Sequence, residues 1–335
     1  MSSQSSRDFT FGVEFEFGIR FEKRPFRDQS QIRELIRDTL IAETGLKVRT
    51  ELEIDGMERG ADKIPESQLF TTWAIGTDNS VGFFEETRLD KNHDAFYCCL
   101  EMQTPVLEFG PGGFTEIHIV LTALQKHFNV LVNDTCGLHV HVGRGKEGID
   151  HLPLQHLMST IWVFETQITE LLHKSRSSYH IHCSPLYMRS NLGLRGFRGN
   201  ILDIMLGTNS VNDVINVFGG YENSVNIAYN ISNLLQPFVS PVKRTIEFRQ
   251  HQGCMDSEIV LNWVGFLVEL VAWAHKIDHQ DFKIFLTKYI DQKEGFSVEN
   301  LFKEIGLRES VHEFWRDRMA ELRAAEQEEE NEKEV

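Results

Sequence analysis

The sequence predicts an α+β fold, in which strands and helices follow one another without a regular βαβ repeat. Short segments with alternating apolar and polar residues, typical of half-buried strands, recur up to His251. Between these segments, and over the last third, apolar residues recur at helical spacing in stretches of varied length. Neighbouring strands that resemble hairpins, separated by unequal helices, favour α+β over a doubly wound sheet.

The N-terminal half is predicted to contain five strands and two helices. In the first strand Val13, Phe15 and Phe17 share one face, and in the first helix Ile32, Ile36 and Leu40 recur at helical spacing. The predicted strands cover Phe9 to Phe17, Leu46 to Ile54, Phe70 to Ile75, Cys98 to Val106 and Gly137 to Gly143, and the helices Gln31 to Thr44 and Thr115 to Phe128.

The C-terminal half is predicted to be mainly helical, with a long helix from Pro153 to Lys174 and a helical C-terminal third from Ser257 onward. Two strands are expected, at Tyr221 to Ser232 and Arg244 to His251, while the Gly- and Asn-rich region 195–220 receives no assignment. Residues 1–8 are expected to be a disordered lead-in, 9–323 a single catalytic domain, and 324–335 an acidic, fraying helix end.

Composition limits the classes of partner. The 335 residues are 41% hydrophobic and carry a net charge of -16, so bulk electrostatics disfavour nucleic acid. Five cysteines without a C-x-x-C pair, and no apolar leader, suggest a reducing, cytoplasmic location. The most apolar stretch, Ile259 to Ala274, contains Asn262 and Glu269 and is predicted to be a core helix, so no membrane partner is expected.

Three predicted strands carry ionisable side chains on one face and apolar side chains on the other. Glu14 and Glu16 share a face; a solvated strand surface would explain them, and so would a divalent cation between two partly buried carboxylates. His139 and His141 share a face of a strand bounded by glycines, and they could bind a metal or a phosphate. Glu247 and Arg249 share a face and form either a cross-strand salt bridge or a metal ligand beside a phosphate-binding guanidinium.

Two weaker signals complete the set. Glu101 lies in an otherwise uncharged strand, which is a poor environment for a carboxylate without a partner. Asp78 and Ser80 follow a strand and are predicted only to shape a turn. Hard oxygen ligands with an imidazole and a guanidinium suit Mg²⁺ or Mn²⁺ and a phosphate-bearing substrate better than zinc, and an H-E-x-x-H helix is absent.

These motifs, in this order, resemble those of the amidoligases, which are carboxylate–amine ligases of the glutamine-synthetase-like superfamily. The specific elements are Cys136-Gly137-Leu138-His139-Val140-His141-Val142 and Ile246-Glu247-Phe248-Arg249, and the resemblance extends from about Phe9 to Ala274. It implies a curved antiparallel sheet with helices on its outer side, which holds ATP and Mg²⁺ or Mn²⁺.

The resemblance also implies a role for each motif residue. Glu14, Glu16, Glu101 and Glu247 would bind metal, His139 would join the metal and nucleotide sites, and Arg249 would steady the transferred phosphoryl group. His141 is expected near the nucleotide. Arg176 and Arg189 lie outside the motifs and are candidate phosphate or substrate contacts by their charge alone.

The expected activity is ATP-dependent amide bond formation through an acyl phosphate, with a small-molecule or peptide carboxylate and an amine as substrates. A phosphotransferase of the same fold group, a zinc-dependent hydrolase and a degenerate fold used as a binding module are the alternatives. The long C-terminal helices could also pair with another subunit in an oligomer.

Overall fold

The structure, a computed structural model, describes residues 6–54, 70–145, 147–176, 182–195, 200–220, 226–235, 243–290 and 295–333. The chain divides into two compact units that interleave along the sequence. The first unit consists of Thr10–His141 and His251–Val260, and the second of Met1–Phe9, Val142–Gln250 and Leu261–Val335. Both contain helices and strands, so the α+β class is confirmed; the single catalytic domain over 9–323 stays a prediction.

The first unit is built on a mixed sheet with the strand order β2-β3-β4-β1-β7, and the short strands β5 and β6 also pair with β1. Its helices are α1 to α3. The strands are β1 (Thr10–Phe21), β2 (Val48–Thr50), β3 (Trp73–Gly76), β4 (Phe96–Gln103), β5 (Leu107–Glu108), β6 (Val130–Leu131) and β7 (Gly137–Gly143), and the helices α1 (Gln29–Thr44), α2 (Phe84–Leu89) and α3 (Pro111–His127).

The apolar face of this sheet forms the core of the first unit. Phe11, Phe15 and Trp73 are each at most 2% exposed, and the rings of Phe15 and Trp73 stack with centroids 6.4 Å apart. Helix α3 lies on this face, because its Glu116 accepts a 2.8 Å hydrogen bond from Trp73 Nε1 and its Phe114 contacts Phe11. The opposite face of β1 is therefore left for the ionisable side chains.

The expectation of an antiparallel sheet is wrong at one edge. β2 and β3 pair in parallel, with Val48 opposite Trp73, whereas β3–β4 and β4–β1 are antiparallel. A parallel pair requires a crossover connection, and residues 51–72 between the two strands are long enough for one.

The strand predicted from Leu46 to Ile54 is also too long. β2 ends at Thr50, and residues 51–54 are helical. Thr50 and Glu53 explain the change, since Glu53 Oε2 accepts from Thr50 N at 2.7 Å and Glu53 N donates to Thr50 Oγ1 at 3.4 Å. This reciprocal pair is the capping box that begins a helix, and it overrides the alternating pattern.

The second unit is mainly helical and contains the antiparallel pair β8–β9, with Tyr229 opposite Phe248 and Asn230 opposite Glu247. The strands are β8 (Tyr229–Asn230) and β9 (Thr245–Gln252), and the helices α4 (His151–Thr169), α5 (Leu186–Arg189), α6 (Asn191–Arg195), α7 (Ile201–Leu206), α8 (Val211–Phe218), α9 (Ser257–Lys276), α10 (His279–Ile290), α11 (Val298–Ile305) and α12 (Glu309–Lys333). β9 and α9 each have one end in the first unit.

Several predicted boundaries differ from the observed ones here. The strand expected from Tyr221 to Ser232 is reduced to Tyr229–Asn230, and residues 221–225 lie outside the described residues. Asn230 ends the strand because its Oδ1 accepts from Ser232 N at 3.0 Å, which closes a turn.

Helix α4 ends at Thr169 rather than Lys174. The unassigned region 195–220 contains α7 and α8, and each begins at a side-chain cap, Asn200 or Ser210.

Helix α9 has the length and apolar composition that a membrane span would need, and 56% of its most apolar window is buried within the protein. A core helix passes the same test. Trp263 on α9 is fully buried, with the Trp315 ring centroid at 5.8 Å.

At the N-terminus, Ser6–Asp8 form a 3-10 turn where disorder was expected, and residues 1–5 lie outside the described residues.

Candidate active site

Glu14 and Glu16 lie on the face of β1 opposite its apolar side chains, as the alternation predicts. The solvated-strand alternative is wrong for this segment, because β1 is an interior strand of the sheet between β4 and β7. Glu16 is 4% exposed and the Glu14 side chain 13%. Two carboxylates on one strand are therefore held largely away from water, where their mutual repulsion is stronger than at a surface.

Glu101 lies beside this pair on the neighbouring strand. In the β1–β4 register Glu16 is opposite Glu101, and Glu14 is opposite Gln103. Gln103 Nε2 donates a hydrogen bond to Glu101 Oε1. Like charges directly opposite each other destabilise a strand pair, so the arrangement costs folding free energy unless a cation compensates it.

Asp78 is a fourth carboxylate at this face, and the sequence assigned it only to a turn. Glu16, Asp78 and Glu101 each offer an oxygen, and these three oxygens lie within 4.8 Å of one another. Asp78 also shapes the turn, since its Oδ1 accepts from Ser80 N and Ser80 Oγ at 2.5 Å each. The available signal was its position: it follows β3, and the β3–β4 register sets the nearby Gly76 opposite Glu101.

The pKa of Glu101 is raised by its surroundings. Burial raises it first, the charges of Glu14 and Asp78 raise it further, and together they bring the pKa to about 7. The Gln103 hydrogen bond and the charge of His139 act in the opposite direction without cancelling the rise. At neutral pH the carboxyl is thus partly protonated in the absence of a cation.

His139 and His141 share the face of β7 that meets these carboxylates. His139 Nδ1 lies 3.3 Å from Glu14 Oε2, and His139 Nε2 lies 3.4 Å from Glu16 Oε1. His141 Nε2 lies 2.9 Å from Glu14 Oε1. His139 and His141 are both at most 6% exposed. His139 therefore bridges the two β1 carboxylates, and His141 holds one of them.

Gly137 allows β7 to approach β1 this closely. Its N–H donates to Glu16 Oε2 at 2.6 Å. A Cβ at this position would lie 2.7 Å from His139 Nε2, so the imidazole would have to shift, and 3.1 Å from Glu16 Oε2, which is a tight contact. The glycine that begins the Gly137–Gly143 strand thus leaves room for the observed positions of these two side chains.

The donor set fits Mg²⁺ or Mn²⁺. Three converging carboxylates supply the hard oxygen ligands that these ions prefer. The raised pKa of Glu101 means that its charged form is disfavoured without a cation, and such an ion would favour that form. The imidazoles could join as nitrogen ligands or orient the carboxylates through hydrogen bonds.

The remaining predicted residues belong to the second unit. Glu247 and Arg249 share a face of β9, where Arg249 Nη1 donates to Glu247 Oε1, and Asn230 Nδ2 donates to Glu247 Oε2 at 2.8 Å. Arg176 is buried in the short turn Lys174–Arg176, and Arg189 is exposed at the end of α5. The salt bridge between Glu247 and Arg249 lies within one strand rather than across two.

A comparison with protein-family models finds one with the description "Putative amidoligase enzyme" that matches residues 7–271. The match includes β1 to β9 and therefore every site residue discussed above. Curated proteins give no significant match.

Proposed function

The chain belongs to the amidoligase family, and from this membership we propose that it is an ATP-dependent ligase that joins a carboxylate to an amine. Family membership implies an enzyme of the ligase class. The proposal adds ATP as the energy source, Mg²⁺ or Mn²⁺ as the metal, and an acyl phosphate as the intermediate. It also adds a cytoplasmic location and small-molecule or peptide substrates, without nucleic acid or membrane partners.

The observation that carries this proposal is the cluster of Glu16, Asp78 and Glu101. Three carboxylates whose oxygens lie within 4.8 Å of one another are costly to ionise together. Burial, with the charges of Glu14 and Asp78, raises the pKa of Glu101 to about 7. A fold that retains this cost gains when a divalent cation binds. Such a cation bound to ATP shields the charge that builds up on a transferred phosphoryl group.

In the proposed reaction a substrate carboxylate oxygen attacks the γ-phosphorus, the bond to the β-phosphate oxygen breaks, and ADP leaves. The amine nitrogen then attacks the acyl carbon, inorganic phosphate leaves with the bonding pair, and the amine loses a proton to solvent. Glu16, Asp78 and Glu101 would hold the metal, and Glu14 and His139 would orient this set. None of these steps needs a covalent nucleophile from the protein.

Arg249 and Glu247 would act on the phosphoryl group from β9. The Arg249 guanidinium offers planar N–H donors suited to phosphate oxygens, and Glu247 fixes one of its nitrogens. Asn230 in turn fixes Glu247. Arg249 is thus proposed to neutralise charge in the transition state, and Glu247 to position it and to add a further metal ligand.

The glutamine-synthetase-like fold is part of the same proposal. The interior strand β1 carries carboxylates on one face and is covered by α3 on the other, which agrees with a sheet that has helices on its outer side. The parallel β2–β3 edge would be a departure at the rim, away from the ionisable face of β1.

A zinc-dependent hydrolase is the second candidate, favoured by one observation. His139 and His141 lie within 3.4 Å of the β1 carboxylates, and two imidazoles with a carboxylate are a common zinc ligand set. The three-oxygen cluster argues against it. A phosphotransferase would use the same cluster, and only its product would differ.

The test is ADP release by the purified chain with Mg²⁺, ATP and a panel of carboxylic acids and amines, followed by mass spectrometry of the product. We expect ADP and an amide in equal amounts, and loss of both with Glu16→Gln. Glu108→Gln on the exposed end of β5 is the matched control and should remain active. Failure of a folded, metal-loaded protein to release ADP with any pair, or ADP release with a phosphorylated product, would overturn the proposal.

A further inference from the structure

The second unit contains a cavity of about 360 Å³ that none of the proposed catalytic steps uses. Tyr229 and Gln250 line it, and Gln250 Nε2 donates to Tyr229 Oη at 2.7 Å. Because successive side chains of a strand point to opposite faces, Gln250 lies on the other face of β9 from Glu247 and Arg249. The cavity and the proposed phosphoryl-binding face therefore lie on opposite sides of the β8–β9 pair.

The wall of the cavity carries charges of both signs. Lys174, Arg176 and Arg323 are its cations, and Arg323 lies 3.4 Å from the Glu170 carboxylate. Three acidic residues line the same space: Glu165, Glu170 and Glu326. A molecule with one negative and one positive group matches this mixed wall better than a triphosphate, which carries only negative charge.

The buried polar groups indicate which atoms a ligand should offer. Gln250 is 4% exposed, and its Oε1 accepts no hydrogen bond from any residue that the structure describes. Such an oxygen is completed by an N–H or O–H donor. The Glu165 carboxylate, in contrast, already accepts hydrogen bonds from Leu186 N at 2.6 Å and from Tyr187 N at 3.3 Å. These bonds hold the backbone at residues 186 and 187 in place.

The size and the apolar lining of the cavity indicate the kind of ligand that it would hold. Leu172, Pro185 and Leu322 give the cavity a hydrocarbon surface. A volume near 360 Å³ lies at the lower end of the roughly 300–1,000 Å³ range of small-molecule sites. This volume suits a compact metabolite.

We propose that this cavity is a second ligand site, which binds a small amphoteric molecule of the amino-acid type. Its carboxylate would lie toward Lys174 and Arg176, its N–H donor toward Gln250, and its short carbon chain against Leu172. The inference rests on the second unit alone and does not depend on the ligase proposal. The sequence left Arg176 as a candidate contact for either a phosphate or a substrate. In this site Arg176 would contact a small molecule.

The test is isothermal titration of the full chain with L-glutamine as the probe, beside succinate, which has only negative groups, and putrescine, which has only positive ones. We expect L-glutamine to bind with one site per chain and more tightly than either of the others. Lys174→Ala should weaken this binding about tenfold, as loss of a charged hydrogen bond does. Lys303→Ala, an exposed lysine that does not line the cavity, should leave it unchanged.

Two further variants keep the result interpretable. Gln250→Leu removes the amide and should also weaken L-glutamine, with circular dichroism and melting temperature confirming that it folds. Glu16→Gln should bind L-glutamine normally, because the site does not involve the carboxylate cluster. The proposal is overturned if L-glutamine does not bind, if succinate or putrescine binds as tightly, or if the folded Lys174 and Gln250 variants bind L-glutamine like the wild type.

Discussion

Glu16 and Glu101 lie directly opposite each other on the adjacent antiparallel strands β1 and β4. The oxygen of Asp78 that completes the cluster lies within 4.8 Å of theirs. Opposed carboxylates weaken a sheet. The Gln103 amide and the His139 imidazole only partly offset the burial and the Glu14 and Asp78 charges that raise the pKa of Glu101. The sheet is therefore less stable without a cation than its apolar packing alone would make it.

Glu101→Gln should stabilise the metal-free protein at pH 8. The folded protein holds the Glu101 proton up to about pH 7, whereas the unfolded chain loses it above the ordinary value of 4.5. The folded state thus binds more protons in this window, and the free energy of unfolding falls as pH rises from about 4.5 to about 7. Removing the charge should recover about 1–3 kcal/mol at pH 8.

Urea unfolding in the presence of a chelator at pH 5 and pH 8 measures this effect. Glu108→Gln, on the exposed end of β5, should change neither value by more than about 0.5 kcal/mol. If Glu101→Gln is less stable than the wild type at pH 8, the charge of Glu101 does not destabilise the metal-free protein.

Gly137→Ala should damage the site more than the fold. The added methyl would lie 2.7 Å from His139 Nε2, so the imidazole must move away from Glu14 and Glu16. We expect a loss of about 1–3 kcal/mol in stability and at least tenfold weaker Mn²⁺ binding.

Gly112→Ala provides the matched control for that variant. Gly112 lies in the first turn of α3, and a Cβ there meets no atom within 4 Å. Alanine should raise stability by about 0.5–1 kcal/mol because it lowers the entropy of the unfolded chain. Calorimetric melting of both variants, beside Mn²⁺ titration, separates the steric effect at Gly137 from a general effect of replacing glycine.

The Thr104 hydroxyl supports β1 through a buried hydrogen bond. Its Oγ1 accepts from Val13 N at 2.9 Å and donates to Pro105 O at 2.7 Å, within a buried environment. Thr104→Val leaves the Val13 N–H without its acceptor and should cost about 1–3 kcal/mol. Thr104→Ser keeps both hydrogen bonds and should cost less than about 1 kcal/mol. Equal unfolding midpoints for the two variants in urea would show that the hydroxyl does not support the strand.

Glu165 should make the free energy of unfolding depend on pH independently of Glu101. Burial raises its pKa to about 7, although two backbone N–H groups oppose the shift. As with Glu101, the free energy of unfolding should fall as pH rises from about 4.5 to about 7. Glu165→Gln, which keeps an acceptor for Leu186 N, should flatten this dependence in melting curves taken at half-unit steps of pH. An unchanged slope would mean that another group titrates there.

The sequence predicted the ionisable strand faces well because strand periodicity is local. Alternation alone places Glu14 with Glu16 and His139 with His141, and the structure confirms both pairs. Side-chain to backbone hydrogen bonds explain two of the errors: the Thr50–Glu53 capping box ends β2 early, and the Asn230 turn shortens β8. Such side-chain to backbone hydrogen bonds override a periodic pattern over a few residues.

What periodicity could not supply is register. The pairing of Glu16 with Glu101, 85 positions later, depends on how β1 and β4 align, which no short pattern contains. Asp78 was missed for the same reason, because its turn enters the cluster through the β3–β4 pairing. The parallel β2–β3 edge likewise follows from a crossover and not from either strand's residues.

Titration with Mn²⁺, followed by electron paramagnetic resonance of the free ion, tests the central claim most directly. The wild type should bind Mn²⁺, and Mg²⁺ should compete for the same site. Asp78→Asn and Glu16→Gln should each weaken binding at least tenfold, while Glu108→Gln should bind like the wild type. A folded wild type that binds no Mn²⁺, or Asp78→Asn and Glu16→Gln variants that bind it unchanged, would contradict the assignment of this cluster as the metal centre.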